Sequence, residues 1–416
     1  MDDPAPTRAR ELLSLVVPAA LVGVGSALVL FSISAAASGL TDLVWSDLTD
    51  ALGVDPDEPW WIVLVLSGAG VLAGLVIAFV PGNGGPDPAT VSLVDRPLPI
   101  GVLPGLLLAV MITLVGGVSL GPENPVMAVN AALCVALGSR LLPVVPPPVW
   151  VGLAAAGTIG ALFGTPVAAA LMLSESMTGD ATRSLWDRLF APLVAAGCGA
   201  GAMHLLADGD LALDVGDYPG FTAGDVAWAG GVATATAAVG LVMIHLFPLV
   251  HGLLRRAARP ALVPVIGGVV LGVLGAIGGR ETLFKGSEEM QVLATNLGDH
   301  TGWGLTLVVV VKCLALLVAA SSGFAGGRIF PAVFIGVVTG LAIHAAVPSV
   351  SLSLTVSAAT VGILAATTRS GWISIFTALA VVPDLDLVPV LVLAILPAWL
   401  LVTGRPTMTI GPGPGA

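Results

Sequence analysis

The sequence predicts an all-α integral membrane protein, built as an inverted repeat of many tilted helices, some of which cross only half of the bilayer. Three observations predict it. Apolar stretches of about 20 residues, enough to span a hydrocarbon core, recur from Leu12 to Val402. Hydrophobic residues fill 56 % of the 416 positions and charged residues only 10 %, so no soluble domain fits anywhere. Finally, two turns broken by Gly and Pro interrupt apolar sequence in matching places: Ser119-Leu120-Gly121-Pro122-Glu123-Asn124-Pro125 and Ser322-Gly323-Phe324-Ala325-Gly326-Gly327-Arg328-Ile329-Phe330-Pro331. Aligning Pro125 with Pro331 places Gly121 on Gly327 and Glu123 on Ile329.

The elements follow in order. The first apolar run, 11–39, is too long for a signal peptide and lacks a small-residue cleavage site, so it reads as a retained helix. An acidic loop holding Asp42, Asp47, Asp50, Asp55, Asp57 and Glu58 comes next, then spans 60–80 and 100–118 and the Glu123 turn. A shorter piece at 126–142 and spans 149–177 and 189–207 complete the first half. A second acidic loop, with Asp208, Asp210, Asp214 and Asp217, divides the chain. Beyond it lie span 222–254, a basic loop at Arg255, Arg256 and Arg259, spans 261–278 and 304–320, and the Gly327 turn. Span 329–347, shorter pieces at 352–366 and 372–382, and span 386–402 finish the second half. Pro125, Pro166, Pro331, Pro383 and Pro397 lie in apolar context and predict short or interrupted helices. Such backbone survives at membrane depth only where it is buried or lines a cavity.

Neither acidic loop contains Lys or Arg, whereas Arg8, Arg10, Arg96, Arg183, Arg188, the 255–259 cluster and Arg405 carry the basic charge. The positive-inside bias places both termini in the cytoplasm of a plasma or inner membrane protein. The predicted organisation is a cytoplasmic tail (1–10), a first half (11–207), an external linker (208–221), a second half (222–410) and a tail (411–416). The first half starts inside and the second outside, so the repeat is inverted.

Other functions are disfavoured. Cys134, Cys198 and Cys313 stand singly in apolar runs, and the five histidines show no ligand spacing, so neither a metal nor a cofactor is expected. No P-loop or dinucleotide motif appears, and Ser321-Ser322 has no histidine at a workable register, so the chain does not read as an enzyme. The net charge of −11 points to no nucleic-acid partner. The alternatives are a carrier of organic anions or cations on a different inverted repeat and a membrane-embedded hydrolase or lipid-modifying enzyme.

The site follows from helix ends. A helix start presents unpaired N–H groups and roughly half a positive charge. Several starts aimed at one spot hold an anion without a full countercharge, weakly enough to release it. The sequences around Gly82–Pro86, Gly121–Pro125 and Gly327–Pro331 supply three predicted starts. Glu123 brings its own anionic oxygen, so it competes with a transported anion for one position and reads as a gate and proton carrier. The alternatives are a carboxylate that only caps a helix and a cation site, which helix starts disfavour. Gly286-Ser287-Glu288-Glu289 echoes Gly82-Asn83-Gly84-Gly85 just before the second turn.

At this point the sequence resembles the CLC family of chloride channels and proton-coupled antiporters. Gly82-Asn83-Gly84-Gly85-Pro86 stands where that family has Gly-Ser-Gly-Ile-Pro, and Gly121-Pro122-Glu123-Asn124-Pro125 where it has Gly-Lys/Arg-Glu-Gly-Pro. Gly326-Gly327-Arg328-Ile329-Phe330-Pro331 resembles Gly-Gly-x-Phe-x-Pro, and Gly404-Arg405-Pro406-Thr407-Met408 resembles the terminal Gly-Gly-Lys-Pro-x-Tyr. The resemblance implies a CLC-like homodimer with one pore per subunit, passing a small inorganic anion of the chloride or fluoride class, with or without protons. It implies Glu123 as the gate and Asn83, Gly84, Gly121, Asn124, Gly327, Ile329, Phe330 and Met408 around the anion. Asn83 replaces the coordinating serine, Met408 the pore tyrosine and Pro122 the basic residue beside the gate. The antiporters' internal proton glutamate aligns with Ser176, leaving Glu175 as the candidate relay. The expectation is a channel or weakly proton-coupled transporter, with a strict antiporter as the alternative.

Overall fold

The computed structural model describes residues 9–176, 184–207 and 211–411. Arg8, Arg183, Asp208, Asp210 and the tail beyond 411 lie outside the described residues. The named elements of the described chain are all helices. In order come α1 (Ala9–Ser14), α2 (Val16–Asp42), α3 (Leu48–Leu52), α4 (Pro59–Phe79), α5 (Leu103–Val115), α6 (Glu123–Leu141), α7 (Pro147–Phe163), α8 (Pro166–Ser176) and α9 (Leu185–Leu206). Then follow α10 (Ala223–Ala257), α11 (Val263–Gly278), α12 (Ser287–Thr295), α13 (Gly302–Ser321), α14 (Ile329–Ala346), α15 (Leu352–Thr368), α16 (Gly371–Val381) and α17 (Val388–Val402). Among the described residues, eight stretches are long and apolar enough to cross a bilayer, and five further apolar helices are shorter.

The chain forms two compact units. The first comprises Met1–Ala35, Val94–Ile100 and Val126–Leu211. In it α7 packs on α9, and α8 on both. Glycine permits the approach: a Cβ on Gly160 would lie 2.2 Å from the Ala196 carbonyl oxygen, and one on Gly199 2.3 Å from that of Gly157. Such close contact drives helix association where lipid removes the hydrophobic incentive. Gly160→Ala is therefore expected to lower stability by about 1–3 kcal/mol through overpacking. Gly152→Ala, on the same helix with nothing within 4 Å of the new Cβ, should be neutral or stabilising by up to about 1 kcal/mol. Thermal unfolding in detergent tests the pair; equal melting temperatures would refute the packing argument.

The second unit comprises Ala36–Leu93, Gly101–Pro125 and Ala212–Ala416. Here α4 packs on α11, α14 on α15, and α10 on α15 and α17. Gly336 and Gly340 of α14 face α15, where a Cβ would meet the Cα of Thr360 at 2.6 Å and of Val356 at 2.4 Å.

Four expectations are corrected. The single span 149–177 is two helices, because Gly164 turns left-handed at φ 67° and Pro166 opens α8. Part of the first acidic loop is helical: α2 continues through a π-helical turn, Leu43–Asp47, into α3, so Asp42, Asp47 and Asp50 lie on helix. Pro397 breaks nothing and sits inside α17. The fourth concerns Gly82–Pro86, which opens no helix. Gly82, Asn83, Gly84 and Gly85 have φ of 82°, 53°, 75° and 101°, four consecutive residues that a right-handed helix cannot contain. The echoing segment differs, since Gly286 alone turns left-handed and α12 starts at Ser287.

Candidate functional site

The two main turns meet. Gly121 and Gly327 exchange both backbone hydrogen bonds, N–H to carbonyl oxygen at 2.9 and 2.7 Å, forming an isolated antiparallel bridge. Each glycine lies just before a helix, so the bridge pins together the N-terminal ends of α6 and α14. From the start of α6, Glu123 reaches across it. Its Oε1 accepts the Ile329 N–H at 2.6 Å and, more weakly, the Phe330 N–H at 3.4 Å.

No side chain of α14's own N-terminal end caps it; the preceding residue, Arg328, makes no capping bond. The carboxylate of Glu123 therefore occupies the free N–H groups of another helix, the position an anion would take. It is fully buried, and its Oε2 has no hydrogen-bond partner among the described residues. Space for it exists because Gly121 and Gly327 lack Cβ atoms, which would lie 2.0 Å from Oε2 and 2.2 Å from Cδ respectively.

The other expected residues are placed as follows. Asn124 is half-buried beside Glu123. Met408 is buried, and its carbonyl accepts from the Arg328 guanidinium, which also donates to the Val91 carbonyl at 2.9 Å. Asn83 and Gly84 line a cavity of about 210 Å³ together with Asp87, Arg255 and Ser322. Ser322 stands on the strand of chain that leads from α13 to Gly327. Glu175 is exposed near the end of α8, in the first compact unit. Among the described residues no group of His, Cys, Asp and Glu could hold a metal.

The cavity wall carries an ion cluster. Asp87 Oδ2 pairs with the Arg255 guanidinium and lies 3.2 Å from His251 Nε2, while Oδ1 accepts the Ala89 N–H at 3.1 Å. Burial alone pushes the Asp87 carboxyl up, but the His251 and Ala89 hydrogen bonds and the Arg255 charge outweigh it and hold its pKa below the ordinary value. A depressed carboxylate pKa stabilises the fold above the unfolded-state pKa and loses that contribution as pH falls through the folded-state pKa. Asp87→Asn should thus cost about 1.5–3 kcal/mol at neutral pH, and the difference should begin to shrink near about pH 4, the ordinary carboxylate range, and vanish once pH has fallen below the lowered folded-state pKa. A melting-temperature gap that persists in acid would refute this linkage.

Two contributors escaped the sequence reading. Arg328 ties the loop at Val91 and the C-terminal segment at Met408 to the head of α14. Lys312, fully buried on α13, donates to the carbonyls of Thr282, Leu283 and Phe284 at 3.1, 2.6 and 3.0 Å. The signal for Lys312 was present, since a lone cation within a 20-residue apolar helix demands a partner.

A family model described as voltage gated chloride channel matches residues 68–403. Proteins named "Putative ion-transport protein YfeO" from Escherichia coli (strain SE11) and Shigella boydii serotype 18 are each 47 % identical over 403 residues, 97 % of this chain and 96 % of theirs. A crystal structure of a CLC-type fluoride/proton antiporter superposes with a TM-score of 0.78 at 17 % identity, covering 97 % of this chain and 98 % of that one. A slow cyanobacterial Cl⁻/H⁺ antiporter superposes with the same TM-score, 0.78, at 16 % identity and 95 % coverage of both chains.

Proposed function

The chain belongs to the voltage gated chloride channel family, and from that premise we propose that it passes a small inorganic anion of the chloride or fluoride class through a pore gated by Glu123. The observation that carries this reading is the Glu123 carboxylate on the Ile329 and Phe330 N–H groups, where a carboxylate and a free anion are interchangeable ligands. Protonation or a side-chain swing vacates the position, and an anion then takes the same donors. Gly121, Gly327 and the bridge between them keep those donors in place. Asn83 and Gly84, on the wall of a cavity that also touches Ser322 and Ala325 of the turn before α14, offer an amide and backbone to an ion approaching from that side. Asn124 and Met408 complete the surroundings of the anion.

We propose passage that is channel-like or weakly coupled to protons. An antiporter's inner half needs a titratable relay, because an uncompensated charge at membrane depth is costly. Glu175 is the candidate for that task, but it is exposed at the end of α8. The proposed arrangement in the cell membrane is a homodimer with cytoplasmic termini, halves 11–207 and 222–410 being inverted copies. Purified protein in liposomes tests the function: electrogenic efflux of chloride, fluoride or nitrate is expected, with a reversal potential that follows the anion gradient. Absence of anion flux from monodisperse protein overturns the reading, and a reversal potential tracking the proton gradient at fixed ratio overturns weak coupling.

A further inference from the structure

The chain has only two lysines, Lys285 and Lys312, and both lie against phenylalanine rings of α14. Lys312 Nζ is 4.6 Å from the centroid of Phe334, and Lys285 Nζ is 5.9 Å from that of Phe330. Their situations differ. Lys312 is committed to three carbonyl oxygens, whereas Lys285 is half-buried and has no hydrogen bond or ion pair with a described residue.

Lys285 is nevertheless held in place by its neighbours. The carbonyls of residues 282–284 are gripped by Lys312, and the Phe284 N–H donates to the Gly117 carbonyl at 3.0 Å. Phe284 is left-handed at φ 52°, as is Gly286 at φ 98°. A Cβ on Gly286 would come within 2.7 Å of Phe334, so the backbone on either side of Lys285 is pressed onto α14. The ring beneath its ammonium belongs to Phe330, whose N–H helps hold the Glu123 carboxylate. The gate turn itself, Gly121-Pro122-Glu123-Asn124-Pro125, contributes no cation. The acidic groups nearest in sequence, Glu288 and Glu289 at the start of α12, form no close ion pair with it, although Glu289 feels the Lys285 charge at longer range.

We propose that Lys285 is an anion-collecting site beside the gate, binding the incoming small inorganic anion next to Phe330 before Glu123 yields the α14 N–H groups. The inference rests on the anion passage proposed above and assigns the first binding step. A cation on a desolvated rim raises the local anion concentration and the rate of encounter, an effect that weakens with ionic strength. The site therefore acts on half-saturation rather than on the maximal rate.

Two measurements test it. In liposomes, Lys285→Gln and Lys285→Met, the latter keeping the stem over Phe330, should raise the half-saturating anion concentration about threefold or more at low ionic strength. The maximal rate should not change, and Lys285→Arg should restore the unmodified value. Independently, acetylation of the unmodified folded protein, followed by mass spectrometry, should label Lys285 and spare buried Lys312. Chloride or fluoride, but not an impermeant organic anion at equal ionic strength, should slow that labelling. Unchanged half-saturation in the neutral variants overturns the proposal, as does labelling of Lys285 at equal rates with and without chloride and fluoride. The labelling arm needs no variant to fold. Anion flux without protection of Lys285 sinks this site alone, whereas protection without any flux sinks the transport reading and leaves a binding site.

Discussion

Glu123→Gln protein in liposomes is expected to pass anion at one rate from about pH 4, the ordinary carboxylate range, to about pH 8, while the unmodified chain slows as pH rises. The amide has the shape of the protonated acid and carries no charge. As an acceptor for the Ile329 and Phe330 N–H groups it forfeits the ionic part of those hydrogen bonds. Bonds to charged groups are worth about 1.5–3 kcal/mol, so the variant should outrun the unmodified protein by roughly tenfold or more at the alkaline end. The buried, unpartnered Oε2 makes the neutral form easier still to accommodate. A monodisperse variant that keeps the original pH slope would remove Glu123 from the gate.

Gly327→Ala reaches the same gate from the opposite side. Its new methyl would lie 2.2 Å from Cδ, 2.3 Å from Oε1 and 2.4 Å from Cγ of Glu123. All three belong to one flexible side chain, so relief comes by expelling the carboxylate rather than by moving backbone. Flux is expected to lose its pH dependence, as in Glu123→Gln. The two substitutions should also be strongly non-additive: adding Gly327→Ala to Glu123→Gln should leave the flat pH profile as it was, because residues in contact share one effect. The double-mutant cycle is read from initial efflux rates at two pH values. Unmodified pH dependence in Gly327→Ala would show that the carboxylate and the glycine do not compete for space during transport.

Much of this site was legible because glycine, proline and charge in apolar sequence leave few physical options. The alignment of Gly121 with Gly327 found two residues that hydrogen-bond to each other across 206 positions, since a repeat puts equivalent turns about one axis. The helix starts at Glu123 and Ile329 were readable from the prolines in their first turns. Gly82–Pro86 misled for the same reason: glycines before a proline also describe a left-handed run, and composition does not distinguish the two. The division of 149–177 was hidden because Ala, Leu and Val suit both arms equally, and a single αL glycine decides the break. What sequence could not supply was partnership over distance. Lys312 is recognisable as a buried cation, but the three carbonyls that receive it lie 28 to 30 residues away, on a loop with no local signature.

The paired hydrogen bonds between Gly121 and Gly327 limit how this protein can work. Carriers that rock one half against the other must part the backbones flanking the substrate, and here that would break two backbone bonds between buried glycines, where unmade bonds are expensive. In the gating proposed above, the moving part is a single side chain, a turnstile arm on a fixed post. A buried arm such as Glu123 turns more slowly than an exposed side chain, but its swing needs no domain motion of the microsecond-to-millisecond kind. Under that proposal the speed limit passes from the scaffold to the ion, and a lipid that stiffens the bilayer should slow this protein far less than it slows a rocking carrier.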